Sequence, residues 1–481
     1  MHFSIPETQE LKDAKQGQTF VAYIIHANGS LHCLLRYKQL LNFHEQLKKQ
    51  FGSNCLPYFP PKRLLPLNQT QVEERRIQLE KYLQIISQDD RISKSDYFNS
   101  FLLHAQQETN NCAPEDVDLD IYLMNWESIR VKVLKTDKTS NVLESASRSI
   151  QLSIEKMCYF SLFIVRQEEA NFIILRRLMD FESPYLTLKN FNTNCNHHRL
   201  VMRKNYWDSS FDDILMDDKV SFNLLYSQTI IDIERGWIKV NKDVEKQLSN
   251  LKSKGSKREL IELAKTLKFY GYIQFEPCIC DHPSPNTSVI VNAGGKELVI
   301  TTIGSSNKAT EYVFRVTRIR CWRLTTCLDD DKTEFNAKNV NKLTRFELSF
   351  EYLFNKDCLK WITIKSDQQS ILMSMCLRGM VEELLMKRKG INGKDDGNLS
   401  QGLSKLSIKK DSYQYLKRDG TSQPINLPKS VTTDNFINCS NQTRMRRVSI
   451  LSYLSQSLNG VIRVRPSVAN DAFDGIGDDD L

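Results

Sequence analysis

Residues 19–37 read TFVAYIIHANGSLHCLLRY and residues 56–62 read LPYFPPK, and these two runs decide the fold. The β-branched and aromatic residues of Thr19 to Ile25, the Asn28-Gly29 pair and the return from Ser30 to Leu35 predict a hairpin with a two-residue turn. Arg36 closes its second strand. From Lys38 to Phe51 the spacing becomes helical, with Leu40, Leu41, Phe43, His44 and Leu47 on one face before Gly52. The prolines at 57, 60 and 61 fix their own φ and keep each preceding residue out of the α region, so Leu56 to Lys62 is extended. A second helix is predicted from about Thr70, with Val72, Leu79, Tyr82, Leu83 and Ile86 apolar and Arg75 and Arg76 near its start. This order brings Arg36, Lys62 and Arg75 together. A guanidinium clamps a phosphate in bidentate geometry and a lysine adds a mobile point charge, so the expected ligand is a phosphate.

An Arg-Tyr pair ending a strand, a Pro-Pro loop and an arginine on the following helix resemble the Phox-homology (PX) domain, whose members bind phosphatidylinositol 3-phosphate. The resemblance implies that Arg36 takes the 3-phosphate, Tyr37 packs on the inositol ring, Lys62 takes the 1-phosphate and Arg75 reaches ring hydroxyls. Lys38 stands where the family usually has Ser or Thr, which adds a charge to the same site and removes a hydroxyl. Leu64, Leu65 and Leu67 follow the basic loop with no evident core to face; insertion into the bilayer interface would use them.

Working outward, 481 residues suit two to four domains. The net charge of +8 fits an anionic membrane surface and is too small and dispersed to argue for nucleic acid. No apolar run has the length of a membrane span, and Met1 to Lys15 lacks a signal-peptide core, so a soluble intracellular protein with peripheral membrane contact is expected. The 12 cysteines lack framework spacing; Cys278, Cys280 and His282, and Cys195, His197 and His198, lack the paired spacing of a zinc site. Neither metal nor cofactor is expected. No phosphate-binding glycine loop, nucleophile elbow or His-Glu-x-x-His run is present, which argues against an enzyme.

Downstream, Val117 to Leu123 and Ile129 to Val133 alternate as a hairpin around Asn125, Val142 to Ile154 reads as a helix, and Tyr159 to Arg166 as a strand. That is the opening of a ubiquitin-like fold. Tyr206 to Phe269 is helical. Strands then return at Val289 to Val291, Leu298 to Ile300, Tyr312 to Leu324, Phe346 to Tyr352 and Trp361 to Ile364, and a helix from Gln368 to about Lys387 closes the region. The expected class is α+β and multidomain: a PX domain (1–109), then ubiquitin-like (115–206), helical (207–270) and phosphotyrosine-binding-like (271–388) lobes of a FERM module, and a polar, disordered tail (389–481).

PX followed by FERM resembles the sorting nexins that retrieve transmembrane cargo from endosomes. The resemblance rests also on Met1-His2-Phe3-Ser4-Ile5-Pro6, Asp232-Ile233-Glu234-Arg235-Gly236-Trp237 and Cys321-Trp322-Arg323. It implies an adaptor on the cytoplasmic face of early endosomes that recycles receptors to the plasma membrane and spares them lysosomal degradation. Receptor tails bearing Asn-Pro-x-Tyr would add as a strand beside Trp322, with Val381 and Leu385 walling the pocket. Within the tail, Arg446-Arg447-Val448-Ser449 has basophilic-kinase spacing, and Ile450, Leu451, Tyr453, Leu454 and Leu458 suit a short amphipathic helix. The terminal Asp478, Asp479, Asp480 and Leu481 match a terminus that recruits the retriever recycling complex. A signalling scaffold whose ubiquitin-like lobe binds small GTPases is the competing expectation.

Overall fold

The computed structural model describes residues 1–12, 17, 19–63, 65–168, 171–193, 197–303, 309–327, 345–366, 369–388, 413–425, 468–470 and 473. Thr19–Ala27 and Ser30–Arg36 pair antiparallel. At their turn Asn28 and Gly29 have φ of 49° and 81°, the left-handed values that a mirror-image two-residue turn requires. Phe3–Ser4 and Thr8–Lys12 pair with successive parts of the first of these strands along its edge opposite Ser30–Arg36. The helices Tyr37–Phe51, Gln69–Ile86 and Asp96–Thr109 bury Leu40, Phe43, Leu79, Tyr82 and Phe101 against this sheet. Phe43 and Phe101 stack with centroids 4.1 Å apart, fixing the first helix on the third.

The second unit is a five-stranded mixed sheet in the order Ser128–Leu134, Asp116–Tyr122, His198–Lys204, Phe160–Glu168, Asn171–Arg177. Asp116–Tyr122 and His198–Lys204 run parallel, and the Thr139–Ser149 helix packs across the sheet through Val142 and Ala146. That helix stops five residues before the predicted Ile154; Ile150 caps it, Gln151 turns left-handed at φ 60°, and a separate turn of helix spans Ile154–Met157. The helical unit comprises Phe211–Met216, Lys219–Glu234, Lys242–Lys254 and Lys257–Lys265. Asn241 caps the third of these by accepting from the Val244 amide, and Gly255 ends it in the left-handed conformation.

The third lobe orders its strands as Glu311–Arg315, Glu297–Thr302, Thr287–Gly294, Cys278–Cys280, Cys358–Ser366, Arg345–Asn355 and Ile319–Cys327. The helix Ser370–Arg388 closes it, burying Ile371, Leu372, Cys376 and Leu377. Tyr312 to Leu324, predicted as one strand, is two. A 3-10 turn at Val316–Arg318 breaks it, and both Val316 and Ile319 stay buried across the corner, so apolar alternation conceals the change of direction.

The units are packed on one another. Arg176 pairs with buried Glu182 at 2.7 Å and donates to the Ser30 hydroxyl of the first domain at 3.1 Å. Gln106 accepts from the Ser183 amide at 2.8 Å. His32 is buried against the Leu102 carbonyl (3.1 Å) and the Phe181 ring; burial lowers its pKa to about 4, so it stays neutral. The Asn28-Gly29 turn abuts the third lobe so closely that a Cβ on Gly29 would lie 2.6 Å from Ile371 Cδ1. Among the described residues no helix is long and apolar enough to cross a membrane.

The tail departs from its composition. Gln414–Leu416 and Ser422–Pro424 form a hairpin whose Tyr413, Tyr415 and Ile425 are buried in the core of the first domain. Val468–Ala469 adds to the Ile319–Cys327 strand. Two tyrosines two positions apart project from one face of a short hairpin and bury enough aromatic surface to hold it, which a count of polar residues does not register.

Candidate functional sites

Arg36 ends its strand in extended geometry and caps the next helix, its amide donating to Gln39 Oε1 at 2.9 Å. Its guanidinium lies 3.9 Å over the Phe20 ring, and Nη1 donates to the Arg418 carbonyl at 2.6 Å. The Tyr37 hydroxyl donates to the Pro60 carbonyl at 2.8 Å, which ties the extended loop to the strand end. Burial raises the Tyr37 pKa against the opposing pull of Arg75, so the phenol remains a donor. Arg75 stacks on the Tyr37 ring at 4.2 Å and donates to the Pro61 carbonyl at 3.3 Å. The neighbouring Arg76 faces the other way. It is 1% exposed, and Glu73 at 2.5 Å and the Ile5 carbonyl hold it as a structural charge.

Lys38 and Lys62 are solvent-exposed around this cluster. Of the apolar loop, Leu65 is 80% exposed, Leu67 is half-buried, and Leu64 lies outside the described residues. Two held arginines, one aromatic plate and two exposed lysines have the chemistry to hold a phosphorylated ring.

Sequence reasoning missed the hairpin that borders this cluster. Gln39 Nε2, besides its helix-capping oxygen, donates to the Leu416 carbonyl at 2.9 Å. Glu108 accepts from the Tyr415 hydroxyl and the Arg418 amide, both at 2.7 Å. These contacts set the Arg418 carbonyl against Arg36.

The second site is the edge of the third lobe. Trp322 is 2% exposed, and its indole donates to the Ser374 hydroxyl at 3.0 Å, pinning the Ile319–Cys327 strand to the closing helix. Its backbone is paired with Val468, and Cys321 with Ala469. Asn470 then donates from its amide to the Arg320 carbonyl (3.1 Å) and from Nδ2 to the carbonyls of Val316 (2.8 Å) and Ile319 (2.6 Å). The Phe473 amide donates back to the Asn470 carbonyl at 3.0 Å, a one-turn reversal. Strand, asparagine and turn with an aromatic three residues on have the Asn-x-x-aromatic spacing. The signal was readable in the chain as Asn470 and Phe473 but went unnoticed beside the acidic terminus.

On the closing helix, Val381 is buried and Leu385 half-buried, three and seven residues beyond Arg378 and so on the same face. Asp478, Asp479, Asp480 and Leu481, the Ser449 site and the predicted helix around Leu454 lie outside the described residues.

Comparison with known proteins covers both sites. The PX domain family matches residues 23–105. The F1 lobe of the sorting nexin 17/27/31 FERM domain matches 117–207, the F2 lobe of sorting nexin 17/31 matches 208–268, and the Sorting Nexin 17 FERM C-terminal domain matches 271–385. The chain is 43% identical to sorting nexin-17 of Danio rerio over 489 residues and 42% identical to that of Homo sapiens over 484, each covering 100% of both chains. It is 37% identical to sorting nexin-31 of Homo sapiens over 392 residues, 80% of this chain and 86% of that one.

Proposed function

The chain belongs to the sorting nexin-17 family of PX–FERM proteins, and from that premise we propose that it is a non-catalytic endosomal adaptor coupling a 3-phosphoinositide membrane to receptor tails. Arg36 and Arg75 take the phosphate and ring hydroxyls of phosphatidylinositol 3-phosphate, Tyr37 packs on the inositol, Lys38 and Lys62 add charge, and Leu64, Leu65 and Leu67 enter the bilayer interface. Asn-Pro-x-Tyr tails add as a strand on Ile319–Cys327, beside Trp322 and the Val381–Leu385 face of the closing helix. Loaded receptors return to the plasma membrane rather than to lysosomes, and Asp478 to Leu481 recruit the retriever complex.

The observation that carries the peptide half is Val468–Ala469 paired on that edge, with Asn470 holding the carbonyls of Val316 and Ile319. The chain thus offers its own Asn-x-x-Phe as a stand-in for cargo, to be exchanged for a receptor tail. Backbone pairing supplies the affinity and Asn470's fork the selectivity. Each site alone is small; joined on one chain at a membrane, the first contact raises the effective concentration for the second.

The test is flotation of the full chain with vesicles carrying phosphatidylinositol 3-phosphate, an anchored Asn-Pro-x-Tyr tail, or both. Binding to both that exceeds what the two separate affinities predict is expected. Equal binding with and without the tail would sink the coupled reading.

A further inference from the structure

The peptide edge does not end within the third lobe. Val468 runs antiparallel to Trp322, so a chain entering ahead of it must pass Arg323 and Leu324. There the structure has a cavity roofed by the first domain: Asn28 and Gln88 face Trp322, Leu324, Met375 and Val468 across it. The roof is fixed. His2 packs edge-on to Phe346 with centroids 5.3 Å apart, and the Asn28-Gly29 turn is wedged against Ile371.

Two side chains that line this cavity have donor capacity left over after their contacts within the fold. Asn28 is 3% exposed, and its Oδ1 accepts from the His2 amide at 3.0 Å, which fixes the amide's orientation and leaves Nδ2 on the other side. Among the described residues that Nδ2 is buried without a hydrogen-bond partner, and so is Gln88 Nε2. Orphaned buried donors weaken a fold unless something arrives to accept from them, and native structures leave few. Both residues line the cavity that an incoming strand must cross before it reaches Trp322.

We propose that this cavity is a subsite for the receptor-tail residues three to five positions before the motif asparagine, so that the PX domain reads part of the cargo. Asn28 Nδ2 and Gln88 Nε2 donate to backbone carbonyls of the extended peptide, while Leu324 and Met375 receive an apolar side chain. The inference rests on the peptide-edge reading above and extends it across the domain boundary. Receptor selectivity then depends on residues upstream of Asn-Pro-x-Tyr, and on a domain otherwise occupied with lipid.

The test is calorimetric titration of the full chain carrying Asn470→Ala, which weakens its own occupant, with two peptides. One begins two residues before the motif asparagine, the other six, with an apolar residue at the fourth position before it. Two gained hydrogen bonds make the long peptide bind about tenfold more tightly. Gln88→Ala should cut that advantage to about threefold and leave the short peptide's affinity unchanged. Equal binding of both peptides, or a Gln88→Ala loss shared equally between them, overturns this inference alone. If neither peptide binds, the peptide-edge reading falls and takes the subsite with it.

Discussion

The hairpin around Tyr415 and the strand at Val468 belong to one tail, yet different physics holds them. The hairpin places Tyr413, Tyr415 and Ile425 among the core aromatics of the PX domain, with Tyr413 4.9 Å from Tyr97 and Tyr415 5.4 Å from Phe101. Three buried apolar side chains stabilise its docking by several kcal/mol, at about 1.5–3 kcal/mol each. The strand has two paired residues, one asparagine and one turn, with Val468 only partly buried. Backbone hydrogen bonds contribute about 1 kcal/mol each and can be replaced one for one by another peptide. One contact is strong enough to persist, and the other is weak enough for the exchange proposed above.

Tyr415→Ala should have the largest effect. It empties a site 1% exposed, with an expected loss of about 3–5 kcal/mol in chemical denaturation, and it should weaken vesicle binding by releasing the carbonyl beside Arg36. Lipid binding that survives undocking would break the comparison, because the hairpin would then be a bystander. Arg36→Ala comes next. Loss of charge-assisted hydrogen bonds worth about 1.5–3 kcal/mol each predicts at least a tenfold loss of phosphatidylinositol 3-phosphate vesicle binding, with a smaller fall in stability than Tyr415→Ala from the lost bond to the Arg418 carbonyl.

Acid should act on the hairpin's platform before it acts on the strand. The folded pKa of His32 is about 4 against 6.5 in the unfolded chain, so between these values the unfolded state binds more protons and stability falls as pH falls. The expected slope is roughly 1.4 kcal/mol per pH unit in that window. His32→Gln should flatten it in denaturation curves taken from pH 7 to 4.5, and an unchanged slope would remove His32 as the cause. The smallest effect is Asn470→Ala. It should cost about 1 kcal/mol or less in stability while raising receptor-peptide affinity about fivefold, since the competing segment is weakened. A fall in affinity would mean that the segment supports the edge rather than competing for it.

Much of the PX domain was legible because its signals are local. Asn28-Gly29 specified a turn, and the change from strand to helical spacing placed Arg36 at the boundary. Arg76 was legible too, had the helix face been read: Val72, Arg76, Leu79 and Leu83 share one side, so Arg76 points inward and Arg75 does not. In the third lobe, Phe346, Leu348, Phe350 and Tyr352 all lie in the core as their alternation implied. Long-range pairing was not legible. Nothing near Tyr415 announces a partner such as Gln39 that lies 376 residues away, and a two-residue strand carries no periodicity. The Arg418 carbonyl is invisible in principle, since every residue has one.

The bond from Arg36 to Arg418 spans 382 residues, and the ribosome makes the chain from one end. At roughly 5–20 residues per second, between about 20 and 80 seconds separate the two partners' emergence. Arg36 is thus made well before the carbonyl that comes to hold it. A nascent chain that has finished its first domain still lacks the hairpin that borders the Arg36 cluster, and it gains that hairpin only after the third lobe has been made. On the function proposed above, lipid binding is then deferred by chain order.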